Sequence, residues 1–488
     1  MTKLKLALTI AALTTTCTAF ANPIDYGDGA ENFSSPDYLK NKDGKFNYWK
    51  GIGKLSGPLG NCTTFVIDTH SKLDSDPVYA LTSAHCLNKK NGVIDIDKPI
   101  EGTITFNYFD DTTDAYKNFP VKKVVWSSIQ GIDLGILELD TTQGELKAAG
   151  VAPLKLASEA PAEDTDILIV NAASGYPLKA AACTHHSSSA LFEKPWVWRH
   201  SVRNQCKGIV GGSSGSPVLI RATNEVYAVL GTRAKDVTRL PGYDYVESSN
   251  YGSPTAILND CVVDGRINTD PNTCQLYPTA SLPLPSDIIQ YAKIAIETDG
   301  KPLMPTWNFP INVSTRHYRY KQTYIPLDCE KPDGYSPSID GINALVDVSM
   351  GPQPGLNNLC IIGTDSLDNP LPAGTYRNAV TVPTYLHAAG PTPAPELVIF
   401  FDKKVNRVSI EWPVRKNEGI DLYQRKYGKP EQTNCDDPQG YTDVTFNMSR
   451  GERDMPLKVC TYAHDTNKQR SAVHEYILEW EALTGTAP

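Results

Sequence analysis

The chain has 488 residues, 40% of them hydrophobic and 21% charged, which is too long for one ordinary core and too apolar for a disordered polymer. About two to four folded domains are expected at this length. Its 46 basic and 55 acidic side chains leave a formal charge of −9 and form no dense Lys/Arg run, which argues against a nucleic-acid-binding surface.

The chain begins with an export pattern. Lys3 and Lys5 precede a short apolar run over 6–13, and Ala19-Phe20-Ala21 supplies a small-residue cleavage site. Residues 1–21 therefore read as a bacterial signal peptide, with secretion or the periplasm as the destination. No later stretch reaches the roughly 20 apolar residues of a membrane-spanning helix. Residues 22–47 are polar and rich in Asn, Asp, Ser and Gly, as expected of an exposed extension or propeptide. Of eleven cysteines, Cys17 lies in the signal, and the other ten read as five disulfides in an oxidising compartment. They fall into neighbouring couples: Cys62/Cys86, Cys183/Cys206, Cys261/Cys274, Cys329/Cys360 and Cys435/Cys460. Spacing does not fix the connectivity, but nearest-neighbour pairing keeps each bridge within one domain. No C-x-x-C or H-E-x-x-H motif occurs, and nothing calls for a metal or an organic cofactor.

From residue 48 onward, short apolar or alternating segments separated by Gly, Asp, Asn and Lys predict β-strands over 63–67, 78–82, 103–108, 121–126 and 135–139. A second set follows over 167–170, 218–220 and 226–230. Many short strands without intervening helices suggest barrels or sandwiches. The first strands carry His85, in Thr82-Ser83-Ala84-His85-Cys86, and Asp133, in Gly131-Ile132-Asp133-Leu134-Gly135. An aspartate inside an apolar strand is costly unless paired. Asp110, Asp111 and Asp114 are alternatives to it, in a polar, loop-like cluster. Ser214 follows in Gly211-Gly212-Ser213-Ser214-Gly215-Ser216-Pro217, where glycines would let the N–H groups of Gly212 and Ser214 converge as an oxyanion hole. A nucleophile, a base, an orienting acid and oxyanion donors are what acyl transfer by serine requires.

Ser286 as N-cap, Ile288, Ile289, Ala292, Ile294 and Ile296, and Gly300 as a stop predict a helix closing this region, with a boundary near residue 300. Beyond it the chain repeats. Cys329-Glu330-Lys331-Pro332-Asp333-Gly334-Tyr335 matches Cys435-Asp436-Asp437-Pro438-Gln439-Gly440-Tyr441, 106 residues later. That is a domain-sized period, and each copy has a second cysteine downstream. Two tandem β-sandwich modules, 301–396 and 397–488, are expected, with the Pro-rich stretch 390–395 as a stiff linker.

The order His85, Asp133, Ser214 and the surrounding motifs resemble the trypsin/chymotrypsin-like serine proteases. Thr82-Ser83-Ala84-His85-Cys86 is similar to the family's T-A-A-H-C, Asp133-Leu134-Gly135-Ile136-Leu137 to its D-[IL]-A-L-L, and Gly212-Ser213-Ser214-Gly215-Ser216-Pro217 to the bacterial G-x-S-G-S-P loop. The resemblance covers roughly 48–300 and implies two antiparallel β-barrels with the triad between them, no cofactor, and a protein or peptide substrate. Ser213 stands where the animal enzymes carry the aspartate that pairs with a new N-terminus, so that activation bridge is not expected. Residues 205–210 and 231–236, expected to shape specificity, hold Lys207, Arg233 and Asp236 and leave the cleavage preference open. The expected function is a secreted serine endopeptidase whose C-terminal modules bind a surface, glycan or protein ligand. The alternatives are an adhesive protein with a degenerate protease domain, and an esterase using the same triad.

Overall fold

The computed structural model describes residues 37–485 except 286–287, 289, 368–369 and 414–418. The expected signal peptide and the first part of the extension lie outside the described residues. Residues 37–47 are described; Lys40, Lys42, Asp43, Lys45 and Asn47 are exposed, while other positions anchor the segment to the barrels. The Leu39 N–H donates to the Leu178 carbonyl, the Asn41 N–H donates to Asp111, and the Phe46 ring stacks on buried Trp49.

The fold is all-β. The first barrel is built from β1 (Ile52–Gly57), β2 (Gly60–Val66), β3 (Pro77–Thr82), β4 (Ile94–Lys98), β5 (Thr103–Phe106), β6 (Lys117–Ser128) and β7 (Leu134–Thr142). Its order is β6-β5-β1-β2-β3-β7, β7 returning to β6 and β4 adding to the outside of β6. The second barrel follows with β8 (Asp166–Asn171), β9 (Lys179–Ser187), a hairpin of β10 (Leu191–Glu193) and β11 (Trp196–Trp198), then β12 (Val202–Asn204), β13 (Pro217–Ile220), β14 (Glu225–Arg233) and β15 (Asn250–Pro254). It closes as β12-β15-β14-β13-β8-β9, with the hairpin outside the barrel.

The two-residue period of a strand explains why these segments read as apolar runs. On β3, Val78 and Ala80 fill the first barrel, while Tyr79 and Leu81 face the seam between the barrels. On β8, Ile167 and Ile169 fill the second barrel, while Leu168 and Val170 face the same seam. Both faces are thus buried, and each fully buried Val, Leu or Ile contributes about 1.5–3 kcal/mol. α1 (Gln143–Ala148) begins on a capping box in which the Glu145 N–H donates to the Thr142 side chain and the Thr142 N–H donates to Glu145. The T-x-x-E spacing signals this helix start.

All five neighbouring cysteine couples are joined: Cys62–Cys86, Cys183–Cys206, Cys261–Cys274, Cys329–Cys360 and Cys435–Cys460. No helix among the described residues is long and apolar enough to cross a membrane.

The helix expected over 286–300 is not formed. Ser286, Asp287 and Ile289 lie outside the described residues, but Tyr291–Lys293 is a strand running parallel to Tyr385–His387. Ala295–Ile296 pairs with Pro302–Leu303, and Gly300, at φ +84°, makes the turn of that hairpin. The apolar positions 292, 294 and 296 also fit a period of two. With β-branched residues at 294 and 296 and a sheet edge available, the strand wins over the helix. Ala280, Leu282, Ala292 and Ile294 pack into the core of the next unit, ahead of the boundary expected near 300.

That next unit has a sheet of Tyr291–Lys293, Val380–His387, Gly355–Thr364, His317–Thr323 and Ile339–Asp340, facing a two-stranded sheet of Thr306–Pro310 and Leu345–Ser349. Trp307, Val346, Leu359 and Val382 share the core between them. The last unit repeats the plan with three- and four-stranded sheets around Val408, Ile410, Tyr423 and Val459. The Pro-rich stretch 390–395 is packed down: Thr392 is buried and its hydroxyl donates to Asp465 at 2.8 Å.

Candidate active site

His85 sits on a single helical turn, Ala84–Cys86, directly after β3. Cys86 is bridged to Cys62 on β2, and the buried Ser83 hydroxyl donates to the Leu230 carbonyl on β14 at 2.7 Å. The turn is therefore tied to its own barrel by a covalent bond and to the other barrel by a hydrogen bond.

Asp133 precedes β7 and is fully buried. Its Oδ2 lies 2.8 Å from His85 Nδ1, and its Oδ1 accepts the His85 backbone N–H at 3.0 Å. The Asp133 N–H in turn donates to Ser253 Oγ on β15. The carboxylate is thereby paired, and the imidazole is held with Nδ1 toward the acid and Nε2 free to face the cleft. A Cβ on Gly231 would lie 3.0 Å from Asp133 Oδ2 and 3.2 Å from the Trp198 ring, so the acid is closely roofed by backbone and indole and a side chain there would have to push them aside.

Ser214 lies on the loop into β13. Gly212 and Gly215 both have positive φ, +86° and +87°. A Cβ at Gly215 would meet the Thr63 carbonyl oxygen at 2.0 Å, so this glycine serves the close approach of the loop to the first barrel. The Gly211 carbonyl accepts the Ser174 N–H at 2.7 Å, and the Ser213 carbonyl accepts the Ser216 N–H at 3.1 Å. In a trans peptide the N–H points opposite to the carbonyl. The Gly212 and Ser214 N–H groups are thus turned away from those partners, and neither finds an acceptor among the described residues. Ser213 is buried, with its hydroxyl bonded to Asn171, in place of the aspartate of an activation bridge.

His85, Ser213 and Ser214 line one cavity of about 240 Å³. The Ser214 hydroxyl donates to the Gly231 carbonyl at 3.3 Å, and among the described residues it makes no hydrogen bond to His85. Burial opposes charging of the His85 ring, but the charge and hydrogen bond of Asp133 outweigh it and hold the pKa above the usual histidine value. Of the residues expected to shape specificity, Ile209, Val210 and 231–233 line the cavity with Asp236, and Lys207 does not. Arg233 and Asp236 are spent on each other at 3.5 Å. Asp111, one of the alternative acids, instead accepts the N–H groups of Asn41 and Lys42.

Sequence reasoning missed the β10–β11 hairpin, which supplies Glu193, Trp196 and Trp198 to the cavity wall. Its signal is the Trp-Val-Trp alternation at 196–198.

Residues 62–229 match the trypsin-like peptidase domain family. No curated protein matches the chain. Solved structures similar to it include the inactive form of the Rv3671c protease of M. tuberculosis, at 18% identity over 43% of this chain and 85% of that one with a TM-score of 0.30. Another is the thermostable serine protease AL20 of an extremophilic microorganism, at 15% identity over 43% and 92% with a TM-score of 0.30. A third is the protease Anisep of Arthrobacter nicotinovorans, at 17% identity over 43% and 91% with a TM-score of 0.29. With its two closed antiparallel barrels, this part of the chain has the architecture expected of the trypsin-like peptidase domain whose family model it matches.

Proposed function

We propose that the protein is an exported serine endopeptidase that cleaves peptide bonds through an acyl-enzyme on Ser214. The observation that carries this reading is the 2.8 Å contact of buried Asp133 with His85 Nδ1, on the wall of the cavity that also holds Ser214. In this reading the Ser214 hydroxyl leaves the Gly231 carbonyl and turns to His85 Nε2. The imidazole takes its proton as Oγ attacks the substrate carbonyl. Asp133 stabilises the imidazolium, which then returns the proton to the leaving amine. The Gly212 and Ser214 N–H groups, without acceptors among the described residues, receive the oxyanion. Water repeats the cycle to release the acid product.

Export rests on the N-terminal signal pattern and is supported by five disulfides, which persist in oxidising compartments. We place the end of the peptidase domain near 278, where side chains begin to join the next core, and assign the two C-terminal units to binding a surface, glycan or protein ligand. The test is turnover of a peptide substrate by the wild type and by Ser214→Ala. The expected loss is about 10⁴-fold or more in kcat, and equal turnover by both removes Ser214 from the chemistry.

A further inference from the structure

Glu193 is carried on the β10–β11 hairpin and lines the same cavity as His85 and Ser214. One side of its carboxyl group is hydrogen-bonded to Thr232 on β14. The other oxygen, Oε2, is buried and has no hydrogen-bond partner among the described residues. A buried carboxylate oxygen without a donor costs free energy and is rare in folded proteins unless something binds there. The indole nitrogens of Trp196 and Trp198, two further residues of this wall, are also buried without partners among the described residues.

The charges around Glu193 do not neutralise it. Arg233 is paired with Asp236 and also donates to the Ile209 carbonyl. Lys89 lines the cavity but is exposed and makes no ion pair with Glu193 among the described residues. His85 is engaged with Asp133. Asp133 and Asp236 add negative potential. The cavity wall thus holds an acid with a buried acceptor that is unpartnered among the described residues, flanked by two indoles.

The hairpin is held rigidly enough to make this selective. Phe192 and Val197 pack with Tyr243, Tyr291 and Leu356, so the next unit forms its floor. Gly131 and Val197–Arg199 exchange backbone hydrogen bonds at 2.8 Å, which registers the hairpin to the segment bearing Asp133.

We infer that Glu193 is a specificity residue that binds a cationic side chain, lysine or arginine, of the peptide substrate beside the reacting serine. The inference rests on the endopeptidase reading above. A lysine or arginine entering the cavity would supply the missing donor to Oε2 and a counter-charge to a desolvated carboxylate, with its stem along the indoles. Burial raises the pKa of Glu193 to about 7, only partly opposed by the Thr232 hydrogen bond. The cationic preference therefore strengthens as pH rises through about 7 and fades below it, where the carboxyl is protonated.

The experiment is a peptide library with lysine, arginine or their neutral isosteres at each position near the cut, cleaved by the mature wild type and by Glu193→Gln at pH 6 and pH 8. At one position the wild type should favour the cation in kcat/KM by about ten- to a hundredfold at pH 8 and less at pH 6. The variant should lose that ratio and its pH dependence. A wild type that reacts with a fluorophosphonate yet shows no cationic preference at any position overturns the role of Glu193 and leaves the peptidase reading standing. A wild type that neither reacts nor cleaves overturns both. The wild-type pH dependence is read without any variant, so misfolding of Glu193→Gln does not shelter the inference.

Discussion

The two C-terminal units share one corner and use it differently. In the first, the Tyr335 hydroxyl donates to the Cys329 carbonyl at 2.7 Å; in the second, Tyr441 donates to the Cys435 carbonyl at 2.8 Å. Gly334 and Gly440 have the same φ of +85°, and both disulfides span 5.4 Å between Cα atoms. Lys321 and Lys426 occupy matching places opposite Cys360 and Cys460, each reaching back to corner carbonyls. The residue after the first cysteine is where they part. Glu330 is mostly buried against the peptidase domain, bonded to Arg199 Nε at 2.9 Å and paired with Arg377 at 3.1 Å, with His200 Nε2 also at 2.9 Å. Asp436 is exposed. The corner is built by cysteine, glycine, tyrosine and lysine, and the acid is left over for docking.

The largest effect expected from this contrast is at Glu330. Arg199 is completely buried and also donates to the Ala379 carbonyl and Thr381, so Glu330→Gln leaves its charge poorly compensated. Breaking such a pair costs about 3–5 kcal/mol. Thermal unfolding should show that loss, together with reduced kcat/KM, since Arg199 directly follows the hairpin that lines the cavity. Asp436→Asn should change neither, and equal effects of the two would break the comparison.

A smaller and symmetrical effect is expected at the tyrosines. Tyr335→Phe and Tyr441→Phe each remove one hydrogen bond and should each lower stability by about 1 kcal/mol in denaturant unfolding. A large loss in one unit alone would mean that the corners are not equivalent.

The smallest effect near neutrality concerns pH. Burial pushes the Glu330 pKa up, but the hydrogen bond from His200 and the charges of Arg199, His200 and Arg377 win and bring it to about 2, against 4.5 for a free glutamate. A depressed folded pKa gives stability that is complete above 4.5 and is lost as pH falls toward 2. Wild type should therefore lose part of its stability between pH 4.5 and 2, and Glu330→Gln should lose less over the same interval. An identical acid profile in the two proteins would contradict the assigned cause.

Much of this was legible in the sequence because the signals were local. His85, Asp133 and Ser214 stand in short motifs whose neighbours are small or apolar for packing reasons, and the cysteine couples are close in the chain. Strands buried on both faces, such as β3 and β8, read as apolar runs. The helix over 286–300 was misread because its partner strand, Tyr385–His387, is some ninety residues away and periodicity alone cannot see it. The hairpin bearing Glu193 escaped because it is two three-residue strands outside the barrel order, and its importance comes from contacts to β14 and to the following unit. The duplication was visible in its corner, whereas the docking of Glu330 depends on Arg199, 131 residues earlier in the chain.

The most direct test of the account is to treat the mature protein with a fluorophosphonate and map the adduct by mass spectrometry, beside His85→Ala and Ser214→Ala. A single adduct on Ser214 in the wild type, absent from Ser214→Ala and greatly slowed in His85→Ala, is the predicted result. No adduct in the folded wild type, or an adduct on another residue, would contradict the assignment of His85, Asp133 and Ser214 as a working triad.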